Sequence, residues 1–273
     1  MTPEDLQAPR LRRVQCLSPA GMHTIAYREW GDAANPDVLL CVHGLTRMGT
    51  DFDRLARAMA DRYRVVCPDV AGRGASDWLR DPLLYGIPQY TADMVTLIAR
   101  LDVEAVDWVG TSMGGLIGMA LAGQPGSPVR TLVLNDVGPR LGHAALARIG
   151  SYVGQPVSFA DVDEAARSVA QTAAPFGLKT HAEWLELVAP TLREQDGRYV
   201  FRYDPNIAVP FRAVTPEAAA AGEAAMWALY DRITARTLLV RGAESDLLTP
   251  ETTAEMAARG QRPQVVEIAG VGH

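Results

Sequence analysis

Several things are scarce in this chain, and each scarcity excludes something. Basic residues do not cluster: Lys and Arg number 26 against 32 Asp and Glu, for a net charge of −6. The one Arg-rich piece, Arg10-Leu11-Arg12-Arg13, is short and reads as a solvated strand edge. Nucleic acid is therefore excluded as an expected partner. Cysteine is rare: Cys16, Cys41 and Cys67 are an odd number in apolar, strand-like surroundings. They make no disulfide framework and read as reduced core residues of a cytoplasmic protein. No apolar run approaches the roughly 18 residues of a membrane span, so no membrane is expected. Residues 1–20 carry Glu4, Asp5 and prolines rather than an apolar core, so no secretion signal is expected. No His, Cys or Asp group has metal-ligand spacing, so the expected metal content is none. Internal repeats are lacking, and the only low-complexity tract is Ala218-Ala219-Ala220-Ala221.

What remains suits one large α/β domain with an insertion: 273 residues, 48% hydrophobic and 21% charged. Residues 11–17 and 22–30 alternate around Ser18-Pro19-Ala20-Gly21, the pattern of an antiparallel hairpin. Val38-Leu39-Leu40-Cys41-Val42 is a continuous apolar run, as in a strand buried on both faces. Similar runs occupy 63–67, 105–109, 129–134, 237–240 and 264–268, with helical spacing over 52–60, 91–101 and 250–258. This alternation predicts a mostly parallel, doubly wound sheet. Residues 137–233 break the rhythm: no strong strand run, but helical spacing over 144–153, 162–172, 182–192 and 216–230. So long a connection between two strands points to an inserted helical cap. The expected division is a core of 1–137 and 234–273 with a cap of 138–233.

One stretch carries chemistry. Gly110-Thr111-Ser112-Met113-Gly114 follows an apolar run and precedes a small-residue helix. That is the G-x-S-x-G nucleophile elbow in its strand–turn–helix setting, where Gly110 and Gly114 permit a strained turn and close strand–helix approach. A serine hydroxyl needs a base, and the base an orienting acid. The chain order Ser, acid, His is met by Asp246, in Arg241-Gly242-Ala243-Glu244-Ser245-Asp246, and by His273 after the last strand. Asp136, just after the 129–134 strand, is the alternative acid. An oxyanion needs two N–H donors. Met113 offers one at a helix N-terminus, and Leu45, after His43-Gly44, offers the other. His43 reads as an organiser of that loop, not the base. Arg73 reads as a loop brace or a rim contact, His23 as a surface residue, His143 and His181 as packed or exposed residues of the cap. Trp78, Trp184, Trp227 and Met226 read as cap core.

These motifs together resemble the α/β-hydrolase superfamily, in its capped group of esterases, lactonases, carbon–carbon bond hydrolases and cofactor-free haloperoxidase relatives. Pro68-Asp69-Val70-Ala71-Gly72-Arg73-Gly74-Ala75-Ser76-Asp77 and Gly270-Val271-Gly272-His273 join the elbow and His43-Gly44 in carrying the resemblance. It implies an eight-stranded α/β-hydrolase fold, capped between strands six and seven, and no cofactor. Epoxide hydrolases and haloalkane dehalogenases of the superfamily carry Asp as nucleophile, and Ser112 argues against both. Members normally continue past the catalytic His with a final helix, so a chain stopping at His273 is expected to be truncated. The expected activity is hydrolysis of a small to medium carboxylic ester or lactone through an acyl-enzyme. The rival reading is carbon–carbon bond hydrolysis, with Arg148, Arg193, Arg202 or Arg212 holding a substrate carboxylate; a non-catalytic binding member is weaker. A small acyl substrate is the expected partner, and a homo-oligomer stays open.

Overall fold

The computed structural model describes residues 8–273; Glu4 and Asp5 lie outside the described residues. The strands are β1 (Arg10–Ser18), β2 (Gly21–Trp30), β3 (Val38–Val42), β4 (Arg64–Pro68), β5 (Val106–Thr111), β6 (Val129–Asn135), β7 (Leu192–Gln195), β8 (Arg198–Phe201), β9 (Arg236–Gly242) and β10 (Gln264–Ile268). The α-helices are α1 (Asp53–Met59), α2 (Ile87–Leu101), α3 (Met113–Ala122), α4 (His143–Tyr152), α5 (Val162–Thr172), α6 (His181–Val188), α7 (Ala208–Ala213), α8 (Pro216–Tyr230) and α9 (Pro250–Ala258).

Eight strands form the main sheet in the order β1-β2-β4-β3-β5-β6-β9-β10. Strand β2 runs antiparallel to both β1 and β4, and the remaining pairs are parallel. The continuous apolar runs have a direct cause. Successive side chains of a strand point to opposite faces, so a strand covered on both sides must be apolar throughout. In β3, Val38, Leu40 and Val42 enter one core while Leu39 and Cys41 enter another. Strand β4 splits the same way, Val66 to one side and Val65 and Cys67 to the other. All three cysteines are free and buried. Helix α3 is buried along its whole length, which is why its sequence lacks a polar face.

The insertion between β6 and β9 holds α4 to α8, and it also holds strands. Residues 192–201 form an antiparallel hairpin, β7 with β8, where only helical segments were expected. Its Asp196-Gly197 turn has both residues at positive φ, 52° and 73°, the signature of a two-residue hairpin turn. This hairpin, α5 and α6 enclose a small separate core around Phe159, Trp184 and Val188. Helix α8 behaves differently. It packs against α3, and its Trp227 and Tyr230 join the main core rather than a core of the insertion. Trp78 is exposed. Among the described residues no helix is long and apolar enough to cross a membrane.

Candidate active site

Ser112 sits between the end of β5 and the start of α3 with φ 52° and ψ −116°. An L-residue adopts that backbone only when its surroundings force it. The two flanking glycines are the reason it can. A Cβ on Gly110 would collide with the Gly114 carbonyl, and one on Gly114 with the Val42 carbonyl. Strand, turn and helix therefore pack backbone to backbone, and the serine hydroxyl is thrust off the sheet edge. Gly44 plays another part. A Cβ there would meet the Ser112 Cβ at 3.7 Å, an ordinary contact, so its bareness keeps space open beside the serine rather than relieving strain.

His273 Nε2 lies 2.9 Å from Ser112 Oγ, and its Nδ1 lies 2.7 Å from Asp136 Oδ2. The sequence-favoured acid, Asp246, is not there. Its carboxylate is 60% exposed and pairs with Arg148 of α4 at 2.7 Å. Asp136 directly follows β6 and has φ 56°, which turns its side chain back under the histidine. The loop that suggested Asp246 still serves the site. The Gly242 N–H donates to Asp136 Oδ1 at 2.8 Å, and the Ser245 hydroxyl donates to Asp136 Oδ2 at 2.6 Å. Two donors from that loop and one from His273 thus converge on one buried carboxylate. An ionised acceptor fixes the proton on Nδ1 of His273 and leaves Nε2 to face the serine.

Among the described residues, the N–H groups of Leu45 and Met113 have no backbone partner. Met113 is the first residue of α3, where the helix dipole adds to its donor. Arg73 braces the loops that carry these two groups. It is fully buried and donates to the Leu45 carbonyl at 2.7 Å, the Ala71 carbonyl at 2.6 Å and the Tyr90 hydroxyl at 2.8 Å. Its guanidinium also reaches the Met113 sulfur and lies over the Tyr90 ring at 5.0 Å. Among the described residues it has no carboxylate partner, so carbonyl dipoles and aromatic faces hold its charge.

His43 is buried beneath this loop. Its Nδ1 meets the Gly44 carbonyl at 2.7 Å, and its Nε2 accepts the Val70 N–H at 2.9 Å. Accepting at Nε2 requires a neutral ring with the proton on Nδ1. Burial, aided by the charges of Arg73 and Arg47, holds the ring's pKa down to about 3. The sign follows from linkage. Below about pH 6.5 the unfolded chain protonates His43 while the folded protein does not, so acidification drains stability until about pH 3. The contribution approaches about 1.4 kcal/mol per pH unit in that window. Urea unfolding of wild type and of His43→Gln, measured between about pH 6 and pH 4, is expected to show a steeper loss in wild type by close to one proton. Parallel slopes would contradict this.

A cavity of about 180 Å³ opens at Ser112. Its walls come from the sheet side (Leu45, Met113, Leu116, Val137), from the segment before α2 and its first turn (Tyr85, Ile87, Tyr90) and from the insertion (Leu141, Leu146, Ile149, Phe211). Among the described residues, no charged side chain lines it. The four arginines weighed for a substrate carboxylate are absent from its walls: Arg148 pairs with Asp246, and Arg212 donates to the carbonyls of Gly150 and Val153.

An eight-stranded, mostly parallel sheet with a serine elbow at its edge defines a class, and the comparisons agree. The model of the alpha/beta hydrolase family matches residues 39–273, and the chain belongs to that family. A 3-hydroxybutyrate-oligomer hydrolase from Cupriavidus necator is 58% identical over 270 residues, covering 97% of this chain and 92% of that protein. Among solved structures, an alpha/beta hydrolase from Novosphingobium aromaticivorans is 35% identical with a TM-score of 0.83, covering 96% of this chain and 92% of that one. An esterase from Mycobacterium tuberculosis is 26% identical with a TM-score of 0.71, covering 97% and 84% respectively. Family and relatives together support hydrolase activity.

Proposed function

We propose that the protein is a serine esterase that cleaves the ester bonds of short 3-hydroxybutyrate oligomers or closely related hydroxyacyl esters. The observation that carries this reading is the unbroken chain Ser112–His273–Asp136 at the floor of an apolar cavity. The substrate class comes from the Cupriavidus relative, whose similarity runs through nearly the whole chain. Ser112 Oγ attacks the ester carbonyl as His273 Nε2 takes its proton. The oxyanion is met by the N–H groups of Leu45 and Met113. Collapse breaks the ester C–O bond, and His273 gives its proton to the departing alkoxide. Water, deprotonated by His273, then attacks the acyl-enzyme and frees the acid and Ser112. Residues 138–233 act as the cap, since Leu141, Leu146, Ile149 and Phe211 roof the cavity.

The cavity's chemistry chooses among substrates. Apolar walls welcome a short acyl chain with its methyl branch and give a carboxylate nothing to bind. The acid end of an oligomer then lies at the mouth, outside the cavity. A carbon–carbon bond hydrolase would need a cation inside, so that reading loses its support.

The test has two arms. The protein is incubated with a 3-hydroxybutyrate trimer and monomer release is followed by chromatography; separately, a fluorophosphonate is used to tag the nucleophile. Monomer release and a tag mapped to Ser112 are expected. A Ser112 tag with turnover of p-nitrophenyl butyrate but not of the trimer would remove the substrate and keep the class. No tag and no turnover of either ester would overturn both.

A further inference from the structure

A second constellation lies away from the serine, under the first hairpin. Cys16 of β1 and His23 of β2 are direct cross-strand partners. In an antiparallel pair such partners point to the same face, here toward α2, which supplies Asp93. The three are 1%, 4% and 1% exposed, and one donor atom from each lies within 4.8 Å of the others. His23, expected at the surface, is thus a core residue.

Hydrogen bonding within the protein gives the Cys16 thiol a partner, the Asp93 carbonyl at 3.9 Å, but leaves the other two side chains short. His23 Nε2 meets Asp93 Oδ1 at 3.0 Å, and the Gln89 amide donates to the same oxygen at 2.7 Å. His23 Nδ1 and Asp93 Oδ2 are buried with no partner among the described residues. Orphaned polar atoms at this depth are rare, and two in one cluster call for a ligand. Thiol, imidazole and carboxylate together are the donor set of a zinc-class cation, and Gln89 holds the carboxylate as outer-sphere groups do in such sites. A surface cavity of about 280 Å³, bordered by Ser18, His23, Asp77 and Trp78, meets the cluster on its His23 side.

We propose that Cys16, His23 and Asp93 bind a Zn²⁺-class cation that clips the first hairpin to α2. Without metal the Cys16 thiol carries a proton, which it directs at the Asp93 carbonyl. Coordination forms a bond from Cys16 Sγ to the cation and releases that proton to solvent, with no change of oxidation state; affinity therefore rises with pH. The site is independent of the ester chemistry, because none of its residues touches Ser112, His273 or Asp136.

The full chain, stripped with chelator and desalted, is titrated with Zn²⁺ and with Co²⁺. About one equivalent of Zn²⁺ per chain is expected to survive gel filtration, with a higher melting temperature than the stripped protein. The Co²⁺ form is expected to show a thiolate-to-cobalt charge-transfer band that Cys16→Ala abolishes, with ester turnover unchanged as the check on folding. His23→Asn, should Cys16→Ala not fold, is expected to lower metal retention at least tenfold. Failure of the wild-type chain to retain Zn²⁺, or a charge-transfer band that persists in Cys16→Ala, would overturn the proposal.

Discussion

Asp136→Asn is expected to lower kcat by about 10⁴-fold with KM little changed, while Asp246→Asn stays within a few-fold of wild type. The amide in Asp136→Asn keeps the shape of the carboxylate but loses its charge. It can present its NH₂ to His273, which then holds Nδ1 as an acceptor and carries its proton on Nε2, facing Ser112. In that tautomer the ring cannot take the serine's proton. The Gly242 N–H still finds the remaining oxygen, and the Ser245 hydroxyl, which donated to the replaced one, turns to accept from the new NH₂, so the fold survives and the loss is in chemistry. Asp246 is another matter. Its one ion pair among the described residues, to Arg148, is exposed, and such pairs contribute about 0–1 kcal/mol. Steady-state kinetics on p-nitrophenyl butyrate, with circular dichroism as a folding check, separates the two. A large loss in Asp246→Asn with Asp136→Asn near wild type would reverse the assignment.

The sequence favoured Asp246, whereas the structure sets Asp136 against His273. Strands β6 and β9 are neighbours, so the loops after them open at the same sheet edge, side by side. Both aspartates follow a strand, and motif order admits either. The choice rests on what spacing does not encode: the left-handed backbone at Asp136 and the two donors that reach it from the neighbouring loop. The elbow was legible because its glycines are a local necessity, readable from five residues. The double-faced strands were legible because burial on both sides leaves no room for alternation. Arg73 was legible only as a brace or a rim contact, since the carbonyls of Leu45 and Ala71 that hold it are assembled by the fold. The β7–β8 hairpin was missed although Asp196-Gly197 marked it; its strands are four residues each, too short to announce a period. The Cys16–His23–Asp93 cluster was hidden for the opposite reason. Its members are seven and seventy residues apart, and only the hairpin register and the packing of α2 bring them together.

Ser112→Gly is expected to abolish turnover, by at least about 10⁴-fold, and yet to yield a protein more stable than Ser112→Ala. Both changes remove the nucleophile. Residual hydrolysis would come only from binding and the N–H groups of Leu45 and Met113. They differ in the backbone. At φ 52° and ψ −116° an alanine keeps the steric conflict of Cβ with the chain, at a cost of about 1–3 kcal/mol. Glycine has no Cβ and is relieved of it, at a penalty of about 0.5–1 kcal/mol in unfolded-state entropy. The difference leaves Ser112→Gly ahead by roughly 1 kcal/mol. At this size of domain that is a rise in melting temperature of a few degrees. The strain is what aims the hydroxyl at His273, so relief and activity exclude each other at this position. Thermal unfolding of the two variants, side by side, decides it. Equal melting temperatures would mean that the elbow stores no strain, and that its geometry follows from packing around Gly110 and Gly114 alone.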